Sequence, residues 1–298
     1  TMIGRFDYVV VGAGSAGCVL ANRLSANPQT RVLLLEAGPP DRNPWIHVPL
    51  GYGKLFADKR HNWMFTPAPE PHLDGRRIGQ PRGKVLGGSS AINGLVYMRG
   101  QPEDFDQWAQ FGATGWSFDD LLPYFRKSED QQRGADAWHG TGGPQAVSDQ
   151  SEPHPLCDAF IAAGREAGYP ENPDFNGASQ DGFGYYQLTS KAGRRVSTAR
   201  GYLKPVRHRP NLKVVTGAHV TRILSEGRRA TGVAWEADGA AFSAEAVGEV
   251  LLCAGAIGSP HLLQVSGIGP ADWLAQIGVP VVCDAPNVGR HLQDHLQV

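Results

Sequence analysis

The sequence predicts an α/β fold accompanied by a second, smaller domain of α+β type that is only partly present. Three observations carry this. The opening stretch from Phe6 to Gly38 runs through an apolar strand pattern, a glycine turn, a helix pattern and a second apolar strand. A strand pattern returns after Asn211, and the residues between 154 and 205 differ in character from both flanks. The expected division is therefore 1–153, 154–205, and a return to the first domain over 206–298, incomplete at its end.

Within the opening stretch, Gly12, Gly14 and Gly17 occupy the G-x-G-x-x-G positions between a strand at Tyr8–Val11 and a helix running from Ser15 to about Ala26. That context makes a Rossmann-like dinucleotide unit. The first glycine makes the tight turn, the second admits a pyrophosphate to the backbone, and the third lets helix and strand touch. Phosphate would meet the unpaired N–H groups at the helix N-terminus. Glu36 ends the second strand, where a carboxylate can accept both hydroxyls of an adenosine ribose and repel a ribose phosphate. FAD or NAD therefore suits the site better than NADP. Along the helix, Ala16, Val19, Leu20 and Leu24 are expected to face inward and Asn22 and Arg23 outward.

A chain of 298 residues can bury a sizeable core. Its 28 Lys and Arg balance 29 Asp and Glu, which removes any broad attraction to nucleic acid or anionic lipid. Cys18, Cys157, Cys253 and Cys283 show no metal spacing, and three of the four sit among apolar or small residues, so buried free thiols are expected. No apolar run approaches the roughly 20 residues of a membrane span, and with the first strand opening this sequence a signal peptide is not expected within it. The expected location is cytoplasmic, or peripheral to the inner membrane.

Between Gly38 and Gly83 the chain is rich in proline and aromatic residues, which predicts a loop lying along the surface and burying some of its rings. The stretch 82–100, RGKVLGGSSAINGLVYMRG, concentrates glycine, Ser89, Ser90 and Asn93 beside Val85, Leu86, Ile92, Leu95 and Val96. Small residues let a flat ring approach the backbone, and the apolar ones predict burial. Helices are expected over Pro102–Ala109 and Ser117–Lys127, with Ser117 as N-cap and Asp120 at N3. Residues 129–150 read as an exposed excursion. A helix face of Leu156, Phe160, Ala163 and Ala167 follows, ended by Gly168. Arg194, Arg195 and Arg200 suit either an anionic group or surface pairing. Strands are expected at Leu212–Thr216, Val220–Leu224, Gly232–Glu236 and Glu249–Ala254, with a helix opened by Ser259-Pro260.

Taken together, GAGSAG with Glu36, the 82–100 stretch, GWSFDDLLPYF at 115–125, LLCAGAIGSPHLLQVSGIG at 251–269 and NVGRHLQDH at 287–295 resemble the N-terminal half of the glucose-methanol-choline family of FAD-dependent oxidoreductases. The style is close to bacterial choline dehydrogenases and other alcohol dehydrogenases. The resemblance implies that Gly12, Gly14 and Gly17 hold the FAD pyrophosphate and Glu36 its ribose. It further implies that Gly87, Gly88, Ser89, Asn93 and Gly94 lie against the flavin or ribityl chain and that Val220 meets the adenine region. Ala254 and Gly255 would close over the adenosine side, and Asp294 with His295 would approach the phosphate and flavin end. Ser15, Ala16, Ala37, Arg82, Val85 and Val96 join the same implied site. Ile92 stands where some relatives carry a flavin-linked histidine, so noncovalent FAD is expected. The implied reaction moves a hydride from an alcohol carbon to flavin N5 while a histidine, supplied by sequence this chain lacks, takes the hydroxyl proton. The implied partners are a small alcohol, the C-terminal remainder, and oxygen, a quinone or another carrier as electron acceptor. Two alternatives stay open: a non-redox lyase of the same family, and a non-catalytic FAD-binding module.

Overall fold

The computed structural model describes residues 1–294. In chain order its main elements are strand β1 (Met2–Val11), helix α1 (Ser15–Leu24), strand β2 (Val32–Glu36), helices α2 (Pro102–Gln110), α3 (Phe118–Ser128) and α4 (Pro155–Glu166), and strands β3 (Leu212–Thr216), β4 (His219–Glu226), β5 (Arg229–Ala237) and β6 (Ala240–Leu252). Helices α5 (Gly255–Val265) and α6 (Ala271–Gln276) complete the set. The chain divides into two compact units, one of Thr1–Asn43, Gly53–Ile92 and residues 198 onward, the other of Pro44–Tyr52 and Asn93–Ser197.

The first unit is built on a six-stranded sheet in the order β4-β5-β6-β1-β2-β3. Strand β1 pairs in parallel with β6 and β2, and β2 in parallel with β3, setting Val9 beside both Leu33 and Val250. Strands β4, β5 and β6 are antiparallel and joined by tight turns, with Asp238 and Gly239 both at positive φ. Val9, Val11, Leu33 and Leu35 enter one apolar cluster, and Val10, Val32 and Leu34 enter another with Cys18 and Ala21. Two cores on opposite faces explain why these strands read as unbroken apolar runs rather than alternating ones.

Helix α1 packs Val19 and Leu24 against the cluster and leaves Arg23 outside as expected, but its most buried face is made of smaller residues. Gly17, Cys18, Ala21 and Asn22 are buried, whereas Ala16 is exposed. Small residues let the helix lie close to the strands, and the buried Asn22 amide is satisfied by donating to the Tyr202 carbonyl at 2.7 Å. Helix α5 begins at Gly255, before Ser259-Pro260, and carries Pro260 inside it. Of the four thiols only Cys18 is buried; Cys157 is exposed and the other two are intermediate.

The second unit uses short pairings. Val96–Tyr97 meets Gln187–Leu188, Glu129–Gln131 meets Gln145–Val147, and Ser190–Lys191 meets Arg194–Arg195. It starts earlier than residue 154 and ends before 205, because residues 129–147 are tied into it by these ladders. The 129–150 stretch is accordingly exposed only in part: Arg133, Asp136, Thr141 and Gln150 face solvent, but the ladder residues do not. Glu129, Gln131, His139, Ala146 and Val147 are all buried. Helix α3 has the expected capping box, with Ser117 Oγ accepting from the Asp120 N–H and the Asp120 carboxylate accepting from the Ser117 N–H. On α4 the anticipated inward face fails: Leu156 is 72% and Phe160 66% exposed, and only Gly164 is buried, beneath the Phe183 ring.

Candidate functional site

Two glycine turns of the first unit come together at the C-terminal end of the parallel strands. In the first, Gly12 has φ +96° and a Cβ there would strike the Cys253 carbonyl oxygen, so only glycine can make this turn beside β6. Gly17 is forced by contact, since its Cβ would overlap the Gly12 carbonyl oxygen. Gly14 differs from both. It is the N-cap of α1, no side chain caps the helix, and no acidic residue lies in its first turn. The N-terminal N–H groups and the positive end of the helix dipole are therefore left to an anion.

The second turn, Gly87-Gly88, has φ values of +93° and +53°. The Gly87 N–H donates to the Ala13 carbonyl at 2.7 Å, and a Cβ on Gly88 would lie 2.6 Å from the Gly14 Cα. Ser90 Oγ donates to the Gly87 carbonyl and accepts from the Thr198 N–H at 3.0 Å, which braces the turn. Ser89 is exposed and its hydroxyl accepts from the Gly83 N–H. Val85 beneath it is fully buried.

Glu36 completes the arrangement. Its carboxylate is buried at the end of β2, one oxygen accepting from the Ala13 N–H and the other from the Gly38 N–H, each at 2.9 Å. Burial raises its pKa to about 7, although these two bonds and the Lys84 charge pull the other way. No cation among the described residues forms an ion pair with it. Each oxygen keeps a lone pair for a further donor. A helix N-terminus, two facing glycine turns and a buried carboxylate at the strand end together fit the pyrophosphate and ribose of a dinucleotide.

The other residues singled out by sequence fall in several places. Ser15 and Ala16 are exposed in the first turn of α1, and Ala37 follows Glu36 at intermediate exposure. Val220 packs against the apolar cluster under β4, Ala254 borders the same cluster, and Gly255 is exposed at the start of α5. Arg82 lies 3.7 Å from Asp294 in an exposed pair. Asn93, Gly94 and Val96 belong to the second unit and are exposed there, whereas Ile92 and Leu95 are buried. His295 lies outside the described residues.

Sequence reasoning missed two features of the second unit. Arg195 is not a surface cation but 1% exposed, and its guanidinium donates to the Ile46 carbonyl and to Asn93. Burial lowers its pKa to about 10, which leaves it charged at neutral pH. The second feature is a buried ionic network. Glu129 accepts from Arg99 Nη2 at 2.9 Å and lies 3.0 Å from His139 Nδ1, while His139 Nε2 is 2.9 Å from Asp174. Burial alone would lower the His139 pKa, but the bonds to Asp174 and Glu129 and their charges raise it. Partners 10 to 35 residues apart leave no local pattern that could have signalled this. A cavity of about 330 Å³ also lies in this unit, but it is lined by Arg133, Asp158, Arg165 and Tyr185, and its two arginines already pair with Asp149 and Glu171.

The family model described as GMC oxidoreductase matches residues 6–297. An alcohol dehydrogenase [acceptor] of Pseudomonas putida is 49% identical over 98% of this chain and 54% of its own length. The mitochondrial choline dehydrogenase of Mus musculus is 48% identical over 99% of this chain and 50% of its own length. Among solved structures, pyridoxine 4-oxidase from Mesorbium loti superposes with a TM-score of 0.92 at 39% identity, covering 97% of this chain and 57% of that one. The chain thus spans about half the length of the curated relatives it matches.

Proposed function

This chain belongs to the GMC oxidoreductase family, and on that premise we propose that it is the cofactor-holding half of an FAD-dependent alcohol dehydrogenase or oxidase. The observation that carries the reading is the apposition of Gly14 and Gly88 over the open N-terminus of α1, with Glu36 at the neighbouring strand end. When bound, FAD supplies a hydride acceptor at flavin N5 for the carbon of an alcohol. The N–H groups at the start of α1 hold the pyrophosphate and Glu36 orients the adenosine ribose. Gly87, Gly88 and Ser89, with Asn93, Gly94 and Val96, take the ribityl and flavin end. Ala254, Gly255 and Val220 border the adenosine, while Asp294, 3.7 Å from Arg82, approaches the phosphate and flavin end. The second unit contributes part of the substrate domain. A histidine from the other half of the protein accepts the hydroxyl proton, and oxygen, a quinone or another carrier takes the electrons.

The cofactor is noncovalent, because the buried Ile92 offers no nucleophile at the place where some relatives attach their flavin. Two measurements on the full-length protein test the proposal. Primary alcohols should bleach its flavin under anaerobic conditions, and acid precipitation should leave the yellow colour in the supernatant. A flavin that no alcohol reduces would remove the redox assignment, and colour retained on the denatured polypeptide would remove the noncovalent one.

A further inference from the structure

We infer that Arg195 is a positioning residue that locks Asn93 so that its amide faces outward as a hydrogen-bond donor to an acceptor atom of the flavin or ribityl chain. The inference rests on the proposed FAD reading and is argued from residues of the second unit alone. Arg195 Nη1 donates to Asn93 Oδ1 at 2.7 Å, Nη2 donates to the Asn93 backbone carbonyl at 2.7 Å, and Nε donates to the Ile46 carbonyl at 2.8 Å. The Leu95 N–H reaches the same Oδ1 at 3.1 Å. Two donors converging on one terminal atom of the amide identify that atom as oxygen, because an NH₂ group there would have nothing to donate to. The orientation is therefore set by chemistry. Nδ2 finds no acceptor among the described residues, and Asn93 is exposed.

An exposed amide whose oxygen is already occupied presents a donor and no acceptor. It selects a ring carbonyl, ring nitrogen or hydroxyl oxygen on the ligand and disfavours an N–H. Arginine suits the task because its planar fork makes parallel bonds to the side-chain and backbone oxygens of one residue, which the single ammonium of lysine cannot reproduce.

The test is a double-mutant cycle read by FAD titration into the stripped full-length protein, using Asn93→Ala, Arg195→Lys and the double variant. Loss of one neutral hydrogen bond should weaken FAD roughly fivefold in each single variant. The double variant should bind no more weakly than Asn93→Ala, since Arg195 acts through the amide that is already gone. An independent structural role would instead multiply the two losses to about twenty-five-fold, and that result would overturn the inference. Asn93→Asp provides a second arm that keeps the shape and pairs its carboxylate with Arg195, so the fold is retained while the donor is removed. It should bind FAD at least as poorly as Asn93→Ala; affinity equal to that of the unchanged protein would sink the donor assignment. Failure of the unchanged protein to take up FAD would overturn the cofactor reading, and this inference with it.

Discussion

A methyl group added at Gly17 would run into the Gly12 carbonyl oxygen, whereas at Gly14 its nearest neighbour is the Gly88 Cα at an ordinary 3.8 Å. The protein itself therefore requires glycine at 17 but not at 14, where on the proposed reading the requirement comes from the pyrophosphate. Gly14→Ala should melt within a few degrees of the unchanged protein but purify with little flavin, while Gly17→Ala should lose stability outright. Equal flavin occupancy in Gly14→Ala, measured by the visible spectrum against protein absorbance, would leave the pyrophosphate assignment without support. Glu36 yields a prediction about pH. Its pKa, raised to about 7 by burial, means the folded chain binds this proton more tightly than the unfolded one. The contribution to stability is full below its ordinary value of 4.5 and is lost as pH rises through 7. Ribose hydroxyls donate to the carboxylate and stabilise its charged form, so FAD binding should expel the proton. Affinity should then strengthen from pH 6 to 8 and level off above. In Glu36→Gln binding should be weaker and this rise should vanish; a rise that persists in the variant would assign it to another group.

Among the elements, the ladder between Glu129–Gln131 and Gln145–Val147 carries the most concentrated charge in the interior. Glu129 is fully buried between Arg99 and His139, so Glu129→Ala would strand two cations and should cost about 3–5 kcal/mol in urea unfolding. A loss below 1 kcal/mol would mean that water replaces the carboxylate and that the network is slack. Because the folded pKa of His139 is raised, its stabilisation is complete below 6.5 and fades as pH climbs through the folded value. The midpoint of urea unfolding should therefore drop across that range, and less so in His139→Gln. This ladder also marks where sequence reading stops. The opening βαβ unit, the α3 cap and strands β4 and β5 were legible because strand period, glycine turns and capping residues are local signals, whereas β6 was read only over its last residues, Glu249–Leu252, and its pairing with β5 through Ala240–Glu245 was not. The polarity of 129–150 was equally visible, but it was compatible with solvent until Arg99, Gln187 and Asp174 arrived from distant parts of the chain. Arg195 was hidden for the same reason, its partner Asn93 lying 102 residues away.

For the whole molecule, the site described is one of binding and orientation, without an assigned proton acceptor. His61 is held by Asp58 at 2.6 Å and His139 lies between two carboxylates. His219 packs on Trp63, with its pKa lowered first by burial and then by the Lys84 charge. The chain covers about half the length of its curated relatives, and we place the base in the half it does not cover. A general base contributes roughly 10²- to 10⁴-fold on its own, and that factor multiplies the positioning that a complete substrate site provides. The 298-residue chain alone should therefore bind FAD weakly and reduce it hardly at all. Supplying the remaining polypeptide should restore tight binding and turnover together, because both depend on closing the same site. Anaerobic bleaching by a panel of primary alcohols, run with the chain alone and then with its complement, separates the possibilities. Rapid and complete bleaching by the chain alone would show that the base lies within these residues, and the histidines just named would then be the first to replace.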